Sequence, residues 1–502
     1  MITLRDISIA FGDHQVLTHL NLSIGDREVV GLIGKNGAGK STLFRVIAAE
    51  LQADSGSVEP GNETILFLPQ YPKEHAETVI SFLNSGPVSR DEYEIKNALN
   101  QVLLSHVDEK QLMSDLSGGE KTKIYFAKML LAEPSPTVLL LDEPTNNLDL
   151  EGIVWLENFI ASFEGSVLLT SHDRRFLDET VDSIIELHDG NSKRYGGNYS
   201  FYREEKEKAE VAYRRRYSAQ QKKIQQIETD IQRTESRARS GEERFSSGMP
   251  YQRKKIRKSA EQMAHRKKKL IKFLSSTNRL EKPQEHILSY ISLQGMTYAN
   301  RSLIHVKELN KSLNNRHILK NVSFVLSGND RVWLYGPNGS GKTTLFKLIL
   351  DQMKPDNGTI VVSSGIRLGY FSQNRDDMNP NHTVLVEFLA MGLTQTLAYK
   401  IGINFHFLAE EMQKKIGELS VGQRAKVSFA KLTSGIYQLL ILDEPTNHLE
   451  IETREIIEKA LNAYEGALLI ASHDRYFLDQ IGMNRMLVLQ DGILKENKTG
   501  ML

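Results

Sequence analysis

Residues Gly34–Thr42 read GKNGAGKST, and Gly336–Thr344, 302 positions further on, read GPNGSGKTT. Both fit G-x-x-x-x-G-K-[ST]. Each stands between an apolar, strand-like run (EVVGLI, Glu28–Ile33; RVWLY, Arg331–Tyr335) and a helical one (LFRVIAAEL, Leu43–Leu51; LFKLILDQM, Leu345–Met353). In that context glycines let a loop wrap closely enough for backbone N–H groups and a helix N-terminus to hold phosphate oxygens. The candidate phosphate-binding positions are Gly34, Asn36, Gly37, Gly39, Lys40, Ser41 and Thr42, with Gly336, Asn338, Gly339, Gly341, Lys342, Thr343 and Thr344 in the second copy. Lys40 and Lys342 would neutralise β/γ-phosphate charge, and Ser41 and Thr343 would ligate Mg2+.

The repetition extends outward from these loops. LSGGE (Leu116–Glu120) returns as LSVGQ (Leu419–Gln423), and VLLLDEPTNNLD (Val138–Asp149) returns as LLILDEPTNHLE (Leu439–Glu450). GSVLLTSHDRRFLD (Gly165–Asp178) returns as GALLIASHDRYFLD (Gly466–Asp479). Four blocks in nearly constant register mean one domain written twice. Apolar runs at Val29–Ile33, Val138–Leu141 and Ser166–Thr170, separated by helical stretches, predict a mostly parallel α/β sheet in each copy.

In LLLDEP and LILDEP, Asp142 and Asp443 end an apolar strand, where a carboxylate can hold the Mg2+ shell. Glu143 and Glu444 follow, placed to orient or deprotonate an attacking water. An Asp-Glu pair after a strand also serves as a helix cap with a first-turn acid. The Pro-Thr-Asn that follows, and the duplication, favour catalysis. His172 and His473 come just past the next apolar run, where a neutral imidazole can meet a γ-phosphate or water. Gln70 and Gln373 end the runs ILFLPQ and LGYFSQ as candidate sensors of Mg2+ or water.

Composition sets the class. The chain has 502 residues, 40% apolar and 25% charged, which excludes wholesale disorder. With no cysteine and no secretory-type start, disulfides and thiolate-metal sites are excluded and the cytoplasm is the expected compartment. Lys and Arg number 63 and Asp and Glu 63, a neutral total that conceals segregation. Between Arg203 and Lys282, 24 basic residues face 11 acidic ones, so this segment carries an excess of 13 positive charges and the remainder the same negative excess. Such asymmetry suits a nucleic-acid- or membrane-facing element on an ordinary body, although a solvated spacer is the plainer reading.

Within that segment Tyr217, Ile224, Ile227, Ile231, Thr234 and Ala238 form one narrow apolar seam. Ile256, Ala260, Met263, Lys267, Leu270 and Leu274 form another, with Lys267 the one break in it. The alternating threes and fours predict an antiparallel helical hairpin with a first helix of about 38 residues. Its turn is expected near residues 240–251, where Ser240-Gly241 and Ser246–Pro250 read as breakers. Phe245, Met249 and Tyr251 are the tip side chains able to touch a base, or else to pack the two helices together.

Assembled, these residues resemble the ATP-binding cassette superfamily, and specifically its ABC-F group of translation-associated ATPases. The group resemblance rests on DEPTNNLD and DEPTNHLE, on two cassettes in one chain, and on the basic segment between them. It implies an α/β chain of two tandem P-loop ATPase domains, 1–198 and 286–502, joined by a helical-hairpin linker, 199–285. It also implies an intramolecular pseudo-dimer, with each ATP between one phosphate loop and the other cassette's signature. Site one would combine Lys40, Ser41, Gln70, Asp142, Glu143 and His172 with Ser420, Gly422 and Gln423. Site two would combine Lys342, Thr343, Gln373, Asp443, Glu444 and His473 with Ser117, Gly118, Gly119 and Glu120.

Three departures predict unequal sites: Val421 in place of a signature glycine, Glu450 where the first copy has Asp149, and Leu313 where the first copy has Phe11 to stack on adenine. The implied partners are the ribosome, through rRNA and the P-site tRNA, and no membrane. The implied role is protection of the peptidyl-transferase region from antibiotics, with relief of stalled ribosomes as a second reading. The motor subunit of a transporter stays open as a different class; a DNA-repair ATPase fits less well without zinc-binding cysteines.

Overall fold

The computed structural model describes residues 1–59, 61, 63–70, 76–85, 90–146, 148–244, and 301–497 without 314, 315, 373–377, 406 and 448. Between 244 and 301 it describes 258, 261–262, 264–265, 267–268, 271–272, 280 and 293–295. The chain divides into two compact units, Met1–Phe201 with Ile287–Leu502, and Tyr202–His286.

In the first unit one architecture occurs twice. The larger sheet of the first copy has six strands in the order Ile65–Leu68, Val138–Asp142, Ser166–Thr170, Val29–Gly34, Ser183–His188 and Asn191–Gly196. All neighbours are parallel except the last pair. The second copy repeats that order with Leu368–Phe371, Leu439–Asp443, Ala467–Ala471, Arg331–Tyr335, Arg485–Gln490 and Ile493–Asn497. The expected strands are present within a residue of their expected ends. Val138–Asp142 and Ser166–Thr170 are buried at every position, as central parallel strands covered on both faces must be.

Each copy also carries a three-stranded antiparallel sheet that the motifs did not announce. It comprises Ile2–Phe11, His14–Ile24 and Ser55–Glu59 in one, and Ser302–Leu313, Arg316–Ser327 and Asn357–Val362 in the other. Register shifts break both long hairpins, and the breaks coincide with left-handed residues at matching places: Asp6 and His19 in the first, Glu308 and Asn321 in the second. Each break turns side chains to the other face, which hides the two-residue alternation of a strand.

The helix Tyr199–Arg244, which belongs to the second unit from Tyr202 onward, spans 46 residues, longer than expected, and at 1.5 Å per residue measures about 70 Å. It runs straight through Ser240-Gly241, which the sequence marked as the turn. One helical glycine costs only about 1 kcal/mol relative to alanine, and the flanking Arg and Glu residues are good helix formers. Ile224 and Ile231 of the expected seam are buried. Of the returning arm, the described residues between Lys258 and Lys272 are helical, and the Leu280 N–H donates to Gln220 Oε1 at 3.0 Å, which brings the far end of the arm back beside the first helix. Phe245, Met249 and Tyr251 lie outside the described residues. No helix among those described is long and apolar enough to cross a membrane.

Candidate functional site

Three loops leave the carboxyl ends of adjacent central strands in each copy, where open α/β sheets bind ligands. After Val29–Gly34 the chain turns at Gly39 (φ 96°) and enters the helix Lys40–Ile47; after Arg331–Tyr335 it turns at Gly341 (φ 104°) and enters Lys342–Ile349. Both turns are left-handed, and a Cβ at Gly39 would stand 2.8 Å from Val16 Cγ1, or at Gly341 2.6 Å from Ile318 Cγ2. Only glycine fits there. The lysine that follows folds back over its own loop. Lys40 Nζ donates to the carbonyls of Gly34 (2.7 Å) and Lys35 (3.2 Å), and Lys342 Nζ to those of Gly336 (2.6 Å) and Pro337 (3.2 Å). Burial pulls both ammonium pKa values down, opposed by the neighbouring Asp-Glu pair.

Asp142 and Asp443 end their strands buried. Thr343 Oγ1 donates to Asp443 Oδ2 at 2.7 Å, so the two expected Mg2+ ligands of the second copy already meet. In the first copy Asp142 instead accepts from Thr170 Oγ1 at 2.8 Å, and that hydroxyl also accepts from the Glu143 N–H. Among the described residues no cluster of three or more His, Cys, Asp or Glu could hold a metal on its own. One carboxylate, one hydroxyl and substrate phosphates make the hard-oxygen set that Mg2+ takes, so the residues present fit that ion.

Glu143 (φ 52°) and Glu444 (φ 49°) are both left-handed, a conformation that costs a non-glycine residue about 1–3 kcal/mol. It aims each carboxyl inward. Glu143 lies 3.4 Å from His172 Nε2 and Glu444 3.3 Å from His473 Nε2, and Glu143 Oε1 is buried without a hydrogen-bond partner among the described residues. Burial raises the Glu143 pKa to about 7 and that of Glu444 to about 8. Burial, helped by Lys342, pushes His473 down to about 3, so its imidazole is neutral at physiological pH. An unpartnered carboxyl oxygen poised near neutrality is suited to take a proton from water.

The signature motifs resolve into helix starts. Ser117 Oγ accepts from the Glu120 N–H while Glu120 Oε2 accepts from the Ser117 N–H, a capping box opening Gly118–Leu130. Ser420 and Gln423 do the same at Val421–Leu432.

Two cavities collect these parts unequally. The larger is walled by both copies: Ser117, Gly118 and Gly119 face Asn338, Gly339, Gly341, Lys342, Thr343 and Thr344, with Asp443, Glu444 and His473. Glu120 is held in its capping box and does not line it. The other is walled by the first copy alone: Phe11, Asn36, Gly37, Gly39, Lys40, Ser41, Thr42, Gln70, Asp142, Glu143 and His172. Gly34 and Gly336 sit behind the loops as lysine acceptors. Ser420, Gly422 and Gln423 do not reach the first cavity, Leu313 does not reach the second, and Gln373 lies outside the described residues. What does reach the first phosphate loop is Glu450, whose Oε1 accepts from the Asn36 N–H at 3.2 Å. Asp149, its counterpart, caps its own helix through the Gly152 N–H.

Sequence reasoning missed the contacts that join the copies. Arg174 pairs with Glu458, and Arg475 with Glu157, each arginine and each glutamate standing 301 positions from its counterpart. The only signal was that all four recur at equivalent places in the repeat.

An ABC transporter family model matches residues 17–146 and again 319–447, and a second model of the same description matches 185–290. Ribosome protection protein VmlR of Bacillus subtilis (strain 168) is 32% identical over 504 residues, which is 99% of this chain and 88% of that protein. Energy-dependent translational throttle protein EttA of Escherichia coli (strain K12) is 31% identical over 515 residues, 93% of this chain and 88% of that one. A crystal structure of an archaeal ribosome recycling factor with a ribosomal stalk protein matches with a TM-score of 0.64 at 19% identity, over 96% of this chain and 87% of that one, a likeness of fold. Twin phosphate loops, Asp-Glu strand ends and capped signature helices on duplicated α/β sheets are those of a tandem ATP-binding cassette ATPase, which uses ATP with Mg2+. Within that family the chain belongs to the ABC-F group.

Proposed function

We propose that this ATPase is a cytoplasmic translation factor that binds the ribosome and extends its basic linker toward the peptidyl-transferase region, protecting that region from antibiotics. The observation that carries the reading is similarity over nearly the whole chain, linker included, to a protein named for ribosome protection. The excess of 13 positive charges in Arg203–Lys282 supports an RNA partner, because phosphate backbone is bound largely by charge and shape. The domain limits that go with this reading are 1–198, 199–285 and 286–502.

In the mechanism, the loop N–H groups and Lys40 or Lys342 grip the phosphates. Ser41, Asp142 and Gln70, or Thr343, Asp443 and Gln373, would hold magnesium, which would supply charge screening at the phosphates. The carboxylate of Glu143 or Glu444 takes a proton as the water oxygen attacks the γ-phosphorus; the bond to the β-phosphate oxygen breaks, and ADP and phosphate leave. His172 or His473 donates to a γ-phosphate oxygen, His473 from a neutral imidazole. Binding clamps the cassettes as a pseudo-dimer and hydrolysis releases them, swinging the linker.

Sedimentation of the Glu143→Gln, Glu444→Gln double variant with ATP tests ribosome binding. Co-migration with ribosomes that weakens with salt supports it; migration only with membranes would instead make the chain a transporter subunit. Expression in a drug-sensitive bacterium tests protection. Unchanged inhibitory concentrations across lincosamides, streptogramins, pleuromutilins, macrolides and oxazolidinones would refute it and leave relief of stalled ribosomes, the reading that the similarity to a translational throttle protein favours.

A further inference from the structure

Arg454 lies at the junction of the two copies, 6% exposed, one turn into the helix Ile451–Asn462. Its Nε donates to the carbonyl of Leu449 at 3.0 Å, one residue before Glu450, the residue that holds the Asn36 N–H of the first phosphate loop. Its Nη1 donates both to the carbonyl of His172 at 2.8 Å and to Asp474 Oδ2 at 2.9 Å. Asp474 directly follows His473 and caps the helix Arg475–Ile481 through the Phe477 N–H. One planar guanidinium therefore ties the histidine loop of site one, the histidine loop of site two, and the segment that reaches the first phosphate loop.

The repeat offers a built-in control. The equivalent residue, 301 positions earlier, is Ile153, which like Arg454 lines the second cavity but whose side chain has no charge or hydrogen-bonding group to offer. The tie exists once rather than twice.

We propose that Arg454 is a positioning residue that couples the two nucleotide sites, transmitting the state of the His473–Asp474 loop to His172 and to the Glu450 contact at Asn36. It rests on the two-site reading above. A displacement of Asp474 moves the guanidinium, because Arg454 is buried and its fork is rigid. The guanidinium cannot move without disturbing its bonds to His172 and Leu449. For binding, the coupling is reciprocal by linkage: ATP in either site changes affinity at the other by one common factor.

The test is a thermodynamic cycle in the full-length Glu143→Gln, Glu444→Gln chain, read by calorimetric titration with ATP. Lys40→Ala and Lys342→Ala give the dissociation constant of each site alone, and the intact pair of sites gives the product of both. The ratio is the coupling factor, expected to be about fivefold or more with Arg454 present. In Arg454→Ile, which copies Ile153, it falls to within about twofold of unity. Single-site constants are measured in the same variant, so a direct effect on either cavity cancels. Arg454→Lys, with charge but no fork, gives an intermediate value. Should Arg454→Ile fail to fold, Asp474→Asn keeps the helix cap, removes the charge, and reads the same tie from its other end. A coupling factor unchanged in Arg454→Ile or Asp474→Asn, or absent in the parent, overturns the proposal. If Lys40→Ala and Lys342→Ala do not each remove one equivalent of bound ATP, the two-site reading itself fails.

Discussion

The two nucleotide sites are built on the same strands, with the same glutamate in the same left-handed conformation, and differ in what closes them. Around Lys342 the cavity wall comes from both copies; around Lys40 it comes from one, with Glu450 laid against the phosphate loop instead. Duplication has kept the backbone that makes the chemistry and varied the side chains through which each half senses the other. A methylene separates the two: Asp149 hydrogen-bonds its own helix while its charge acts on Lys342 and His473, whereas Glu450 hydrogen-bonds across to Asn36.

The largest expected effect removes the shared chemistry. Glu143→Gln and Glu444→Gln together lower ATP turnover by about 10^2–10^4-fold, the range of a lost general base. Each single variant leaves a different residual rate, and equal residual rates with equal nucleotide trapping would erase the comparison. Next is the junction. Arg174→Ala strands Glu458 as a buried charge and destabilises the chain by about 3 kcal/mol, read from denaturant unfolding. Arg475→Ala costs less, because its pair is more open, with side chains 11% and 15% exposed against 2% and 9%.

A third prediction concerns pH. The raised carboxyl pKa values, about 7 and about 8, mean that the folded chain holds protons which the unfolded chain releases above about pH 4.3. Stability of the nucleotide-free chain therefore falls as pH rises from there through both folded values. The double glutamine variant, uncharged throughout, loses that contribution: its thermal midpoint matches the parent's near about pH 4 and exceeds it above about pH 8. The smallest effect sharpens the asymmetry. Glu450→Asp withdraws the carboxylate from Asn36 and changes ATP affinity at site one by about 1 kcal/mol or less, with site two, measured in Lys40→Ala, unmoved.

The repeated motifs made the parallel sheets and both phosphate loops legible, because glycine, lysine and strand-end acids are dictated by local geometry. The antiparallel sheets were not, since left-handed breaks at Asp6, His19, Glu308 and Asn321 scramble the alternation that marks a strand. The glutamate conformation was invisible for a related reason: nothing in Asp-Glu-Pro announces a positive φ at a residue that normally avoids one. Arg454 belongs to none of the repeated motifs, and in the sequence only its mismatch with Ile153 sets it apart. Ser240-Gly241 was over-read, since one glycine is a weak breaker when its neighbours favour helix.

The reciprocal pairs at the junction have a consequence for ancestry. Arg174 and Glu157 both belong to the first half, and Arg475 and Glu458 to the second, so each half carries both letters of the code that joins them. Two identical first halves would satisfy the same pairing about a two-fold axis, which is how a homodimer is held. The fused chain thus preserves the grammar of a symmetric pair. The tether holds unlike halves at high effective concentration, so assembly stays secure although Val421, Glu450 and Arg454 differ from Gly118, Asp149 and Ile153 of the first half.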